Sequence, residues 1–233
     1  MQSRQRVLDI GLSVLIGVVL VGLLAQRIGT RTVRAGDIVV ARQGMSGSLG
    51  DSIVPSNVLV RWQQSGYRIG PAHAPVQIVV FGNLTCGFCG QLYFALDSLS
   101  KELPGMFAVT WMSFVPPAST GIMSARGYSL ALECAGSLGR FEPFIDTVFR
   151  TRRKLGTRAE FMRTAKTAGI ADSTKFGLCL DTQAYAGLVD SQSLEMTSVG
   201  LRATPVWFIN GRAILGAPPF EEVARLVRGA LLR

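Results

Sequence analysis

The sequence predicts an α/β domain with a helical subdomain inserted in its middle, and three observations predict it. A β-branched run at residues 76–81, continuously apolar after Gln77, is followed by helical spacing over residues 87–103. A second strand-like run, FAVTWMSF, follows at 107–114, and Pro116-Pro117 ends it. Beyond a long helical stretch, PVWFI at 205–209, the turn pair Asn210-Gly211 and residues 213–215 give a β-hairpin signal.

From the N-terminus, residues 10–25 (IGLSVLIGVVLVGLLA) carry no charge in 16 positions, after Arg4 and Arg6 and before Arg27. Much of the chain's positive mean hydropathy, +0.33, sits there. A spanning helix wants about 20 apolar residues, so the segment is near the short limit. Ala25 is the best cleavage candidate, but Leu23 two places before it fits an A-x-A pattern poorly. The segment therefore reads as an uncleaved signal anchor over residues 1–27. Its flanking arginines do not orient it, since Arg27, Arg31 and Arg34 follow as closely as Arg4 and Arg6 precede.

Residues 28–65 read as a linker and short extension, Gly- and Ser-rich at 44–52, with a β-like run at 37–41 and a first-strand candidate at 58–62 (VLVRW). The breaker segment 70–75 (GPAHAP) introduces the strand at 76–81. That strand is apolar after Gln77, as expected for burial on both faces. In the helix at 87–103, Leu92, Leu96 and Leu99 share one side, and Pro104-Gly105 stops it. Helical pattern then occupies 122–135, 141–150, 158–168, 174–180 and 183–199, and Pro219 opens a last helix running to 231.

The net charge of +9 invites a nucleic-acid reading. The clearest basic cluster, residues 150–154 (RTRRK) with Arg158, Arg163 and Lys166, lacks interleaved aromatics and any DNA-binding motif. It reads as a solvated helical face, with anionic lipid headgroups the next partner in line. Nucleic acid is not expected. His73, the single histidine, lies in a turn and reads as a loop residue, which leaves hydrolase chemistry poorly supported.

The chemistry concentrates at 85–90, TCGFCG. A CxxC at a strand-to-helix junction places its first sulfur near unpaired backbone N–H groups and the positive end of the helix dipole. Those donors favour the thiolate, so Cys86 becomes the nucleophile, and Cys89, one turn in, closes a disulfide back onto it. A zinc site normally needs a second close ligand pair, whereas Cys134 and Cys179 are isolated in sequence. Gly87 and Gly90 suit a tight turn rather than core packing. Redox exchange stands ahead of metal binding and of a purely structural role.

The phrase GPAHAPVQIVVFGNLTCGFCGQL at 70–92 resembles the entry to DsbA-like proteins of the thioredoxin superfamily. GLRATPVWFING at 200–211 resembles that family's second landmark, a Thr-Pro loop leading into a strand and an Asn-Gly turn. Glu133-Cys134-Ala135 and FGLCL at 176–180 fall within a helical insert like theirs. The resemblance covers roughly residues 66–232. It implies a thioredoxin-like fold over 66–233, with the insert at about 118–199; the apolar segment read above places an N-terminal transmembrane helix ahead of it.

It implies as well that Pro205 is cis and faces the cysteines, leaving the Thr204 peptide groups to pair with an extended substrate by strand addition. Phe88 is either a substrate contact or a cover over the sulfurs. By the same resemblance Cys134 and Cys179 form a structural disulfide, which needs an oxidising compartment and so places residues 35–233 outside the cytoplasm. Three departures stand out. Val80 replaces an acid six residues before Cys86, Asn83 replaces another three before it, and Gly87-Phe88 supplies no histidine.

The expected function is an extracytoplasmic thiol–disulfide oxidoreductase, membrane-anchored by its N-terminal helix and needing no cofactor beyond the Cys86–Cys89 pair. It would form disulfides in reduced exported proteins and be re-oxidised by a membrane quinone-linked partner of the DsbB or vitamin K epoxide reductase type. The alternatives are a reductase or isomerase of the same fold, or a non-catalytic or metal-delivering binding module.

Overall fold

The computed structural model describes residues 48–116, 124–152 and 154–232. The expected anchor at 1–27 and the run at 37–41 lie outside these residues. Among the described residues no helix is long and apolar enough to cross a membrane.

Six strands form one sheet in the order β1-β6-β5-β3-β4-β2. In chain order the elements are β1 (Ser48–Ile53), α1 (Ser56–Ser65), β2 (Tyr67–Ile69), β3 (Val76–Gly82), α2 (Gly87–Glu102) and β4 (Phe107–Ser113). The insert follows as α3 (Ala125–Ser137), α4 (Phe141–Thr151), α5 (Arg158–Thr167), α6 (Ser173–Asp181) and α7 (Ala186–Ser198). The hairpin β5 (Val206–Ile209) and β6 (Arg212–Leu215) and the final helix α8 (Phe220–Leu231) complete the chain. Strands β3 and β4 pair in parallel; the other pairings are antiparallel.

The central strands are predominantly apolar because both sheet faces are covered. Alternate residues point to opposite faces of a strand. Val76, Ile78 and Val80 of β3 and Val109 and Trp111 of β4 join one core with Leu92, Leu96 and Leu99 of α2, Val223 and Val227 of α8, and the insert. Val79, Phe81, Met112 and Phe208 join a second core with Trp62 of α1 and Met196 of α7. The CxxC helix is thus fixed by three leucines on a sheet that is itself clamped from behind.

Two expectations for the N-terminal part are corrected. Residues 58–62 are not a strand: they lie in α1, where Val58, Leu59 and Trp62 face the sheet at helical spacing while Val60 and Arg61 are exposed. Trp62 is fully buried and its Nε1–H donates to Glu195, which also receives Arg61 at 2.6 Å. The folded body therefore reaches into the expected linker, and Ser48–Ile53, read as spacer, pairs antiparallel with β6 at the sheet edge. The opposite edge strand, β2, had no signal in its three residues; Tyr67 stacks on Phe141 with centroids 3.9 Å apart, joining the sheet to the insert.

The basic cluster is corrected in part. Helix α4 ends at Thr151, so Arg152 and Lys154 stand beyond it rather than on a helical face.

Candidate active site

Strand β3 ends at Gly82, and the next three residues turn the chain into α2. Asn83 organises the turn: its side-chain oxygen accepts from the Thr85 backbone N–H at 3.0 Å and from the Thr85 hydroxyl at 2.6 Å. Its amide nitrogen donates to the Thr204 hydroxyl at 3.4 Å. A residue that reads as a departure from the family pattern is therefore a buried clasp between the CxxC turn and the Thr-Pro loop.

Cys86 is the N-cap of α2. Its sulfur takes the place of a capping oxygen and accepts from the Cys89 backbone N–H at 3.3 Å. The Thr204–Pro205 peptide is cis, and the Cys86 thiol donates to the Thr204 carbonyl at 3.5 Å. Cys86, Cys89, Thr204 and Pro205 thus meet at one place although Thr204 comes 115 positions after Cys89 in the chain. Phe88, in the first turn of α2, has 61% of its surface exposed.

The two sulfurs differ sharply. A hydrogen bond from the Cys89 side chain lowers the Cys86 thiol from 9.0 to about 6, helped by the Thr204 side chain and by the backbone N–H groups of Cys89 and Phe88, against an opposing effect of burial. Burial pushes the Cys89 thiol far up, and the hydrogen bond and negative charge of Cys86 add to that. Cys89 has no exposed surface. One sulfur is poised to be a thiolate near neutral pH; the other holds its proton. This is the asymmetry that thiol–disulfide exchange requires.

Gly82 makes room for the inner sulfur. A β-carbon there would lie 3.3 Å from Cys89 Sγ and 2.7 Å from Trp111 Cη2. Gly90 does the same for Phe149, whose Cδ1 would be 2.9 Å from an added β-carbon, whereas nothing lies near Gly87.

Val80 is buried in the first core and carries no titratable group. A carboxyl to which the motif pattern assigned no role lies on α3. Glu133 is buried among apolar neighbours, accepts from the Ser113 hydroxyl at 3.3 Å, and is raised by desolvation to about 7. Ser113 pairs in register with Gly82. A lone acid inside the apolar run SLALECA was its only sequence signal.

Cys134 and Cys179 are bonded to each other between α3 and α6, with Cα atoms 5.9 Å apart, and take no part in the Cys86–Cys89 site. His73 is exposed in its turn. Among the described residues no group of three or more His, Cys, Asp or Glu side chains is arranged to hold a metal ion.

Comparison with known proteins bears on the family and the fold. The family model described as Thioredoxin matches residues 63–228. The Na(+)/H(+) antiporter NhaA of Herminiimonas arsenicoxydans is 27% identical over 161 residues, 69% of this chain; the chain spans about a quarter of that protein, 25%. Oxidised BdbD from Bacillus subtilis superposes with a TM-score of 0.64 at 19% identity, covering 82% of this chain and 100% of its own. A periplasmic thioredoxin-like protein from Salmonella enterica serovar Typhimurium gives 0.61 at 18% identity, covering 77% and 99%. Chlamydia trachomatis DsbA gives 0.57 at 18% identity, covering 70% and 88%. At such identities the structural likeness speaks for the fold.

Proposed function

The chain belongs to the thioredoxin family and has the DsbA-like form of its fold, and from that premise we propose that it is a membrane-anchored, extracytoplasmic thiol–disulfide oxidoreductase that introduces disulfides into exported proteins. The observation that carries the reading is the pairing of a capped, low-pKa Cys86 with a buried Cys89 beside the Thr204 carbonyl.

In the oxidising direction a client thiolate attacks Cys86 Sγ of the Cys86–Cys89 disulfide. The Cys86–Cys89 bond breaks, a mixed disulfide forms, and Cys89 leaves and takes up a proton. A second client thiolate then attacks the client sulfur of that bond and releases Cys86 as a thiolate. The client loses two electrons and the protein gains them. A membrane quinone-linked oxidase of the DsbB or vitamin K epoxide reductase type would remove them again.

Stabilisation of the reduced Cys86 thiolate favours this direction, because it makes the disulfide easier to reduce. Phe88 and Thr204 would contact the client, Thr204 by backbone pairing next to Pro205. The Cys134–Cys179 bond supports an oxidising compartment, as does likeness to a periplasmic protein. Residues 10–25 would supply the anchor.

The test is a pair of variants mixed with a reduced two-cysteine peptide. Cys86→Ser abolishes exchange, whereas Cys89→Ser, converted beforehand to a mixed disulfide at Cys86 with a small thiol, exchanges that thiol for the peptide. Undiminished peptide oxidation by Cys86→Ser would eliminate the mechanism.

A further inference from the structure

Beside Cys86 the surface opens into a cleft of about 610 Å³, within the range of ligand-binding clefts, with the redox turn on one side and the end of α4 on the other. Its floor is aromatic and apolar. Phe149 packs against Gly90, Phe94 lies 6.4 Å from Phe149 between ring centroids, and Tyr128 and Leu155 extend the wall.

One rim is cationic. Arg152 and Lys154 line the cleft and are exposed, and neither makes an ion pair or side-chain hydrogen bond among the described residues. Two neighbouring cations among the described residues are engaged: Arg150 pairs with Asp146 at 2.7 Å and lies 5.0 Å over the Phe94 ring, and Arg158 pairs with Asp181 at 2.6 Å. No acidic side chain lines the cleft among the described residues.

The backbone is fixed at Arg152 and at Leu155, the residue after Lys154. Arg152 closes α4 in the left-handed conformation, at φ 49°, its N–H donating to Val148 at 3.2 Å. Leu155 is buried, and its N–H donates to the Tyr128 hydroxyl. Arg152 and Leu155, on either side of Lys154 along the cleft wall, are thus each tied by a backbone hydrogen bond.

We infer that this cleft selects client segments in which an acidic side chain, next to an apolar or aromatic one, flanks the cysteine presented to Cys86. This rests on the oxidoreductase reading above and names its substrate class. A polypeptide fits better than a lipid surface because the cleft contains the redox sulfur, for which only a thiol-bearing partner has a use. Unpaired exposed cations act on encounter with an acidic client and lose that effect as salt screens them.

The experiment uses the oxidised full chain and three reduced two-cysteine peptides of equal length, carrying Asp-Phe, Ser-Phe or Lys-Phe beside the first cysteine. With the wild type at low salt, the Asp peptide is oxidised about tenfold faster than the Lys peptide, and the gap closes at high salt. In the double variant Arg152→Glu/Lys154→Glu, with rates taken relative to the Ser peptide, the order reverses. Equal wild-type rates for all three peptides, or an unchanged order in the variant, overturn the selection while leaving the oxidoreductase reading intact. Failure of the wild type to oxidise any of them, or dithiothreitol, overturns both. Loss, in the variant, of the salt-sensitive component of binding to phosphatidylglycerol vesicles, with peptide order unchanged, assigns the cations to a membrane surface and overturns the selection.

Discussion

Gly82 stands with its bare α-carbon against the Cys89 sulfur, and a β-carbon there would come within 3.3 Å of Sγ and 2.7 Å of the Trp111 ring. Its φ is not in the left-handed region, so close approach rather than backbone conformation demands glycine. Gly82→Ala must push the sulfur, the indole or the strand aside. Overpacking of this kind costs about 1–3 kcal/mol. Urea unfolding should show a lower midpoint at unchanged slope; an unaltered midpoint would mean that the site relaxes freely.

The Cys86 thiol, lowered from 9.0 to about 6, should react with iodoacetamide along a titration curve centred near pH 6. Below that pH the sulfur is protonated and slow; above it the rate levels off. Mass mapping of the reduced protein should find Cys86 alkylated and Cys89, buried and held protonated, untouched at neutral pH. A midpoint near 9 would remove the asymmetry on which the mechanism depends.

Glu133 should give folding a pH dependence of its own. Its folded-state pKa is raised from 4.5 to about 7, so the folded protein holds a proton that the unfolded chain releases. The associated stability is complete below about pH 4.5, declines through the interval up to 7, and stays lost above it. The shift corresponds to about 3 kcal/mol. Glu133→Gln, which keeps an acceptor for Ser113, should match the parent near pH 4 and exceed it by up to that amount at pH 8. A stability difference that does not vary with pH would contradict the assignment.

The Cys134–Cys179 bond spans 45 positions within the insert. Closing a loop of that length stabilises by about 4 kcal/mol in the chain-entropy description. Cys134→Ala/Cys179→Ala should lose stability of that order in denaturant unfolding, and equal stability of the double variant and parent would show that the bond constrains little.

Much of this was legible in the sequence because it was contiguous there. The run at 76–81 is apolar at every position after Gln77, as burial on both faces demands, and TCGFCG follows it directly. Residues 58–62 misled because a five-residue apolar run satisfies strand and helix alike; only the buried Trp62 and exposed Arg61 reveal the helical period. The edge strand at 48–53 had Gly- and Ser-rich composition and no alternation to betray it. Asn83 and Glu133 were opaque for another reason. Each takes its meaning from a partner distant in sequence, Thr204 for the first and Ser113 for the second, and from burial that residue type alone argues against.

The reduction potential of the Cys86–Cys89 pair, measured by equilibration of the full chain with glutathione buffers, tests the central claim most directly. Thioredoxin, with a first-thiol pKa of about 7, lies near −270 mV, and the strong oxidase DsbA, at about 3.5, lies near −120 mV. With Cys86 at about 6, the potential is expected between those limits and above the thioredoxin value. A value at or below about −270 mV would contradict an oxidase and make the protein a reductant.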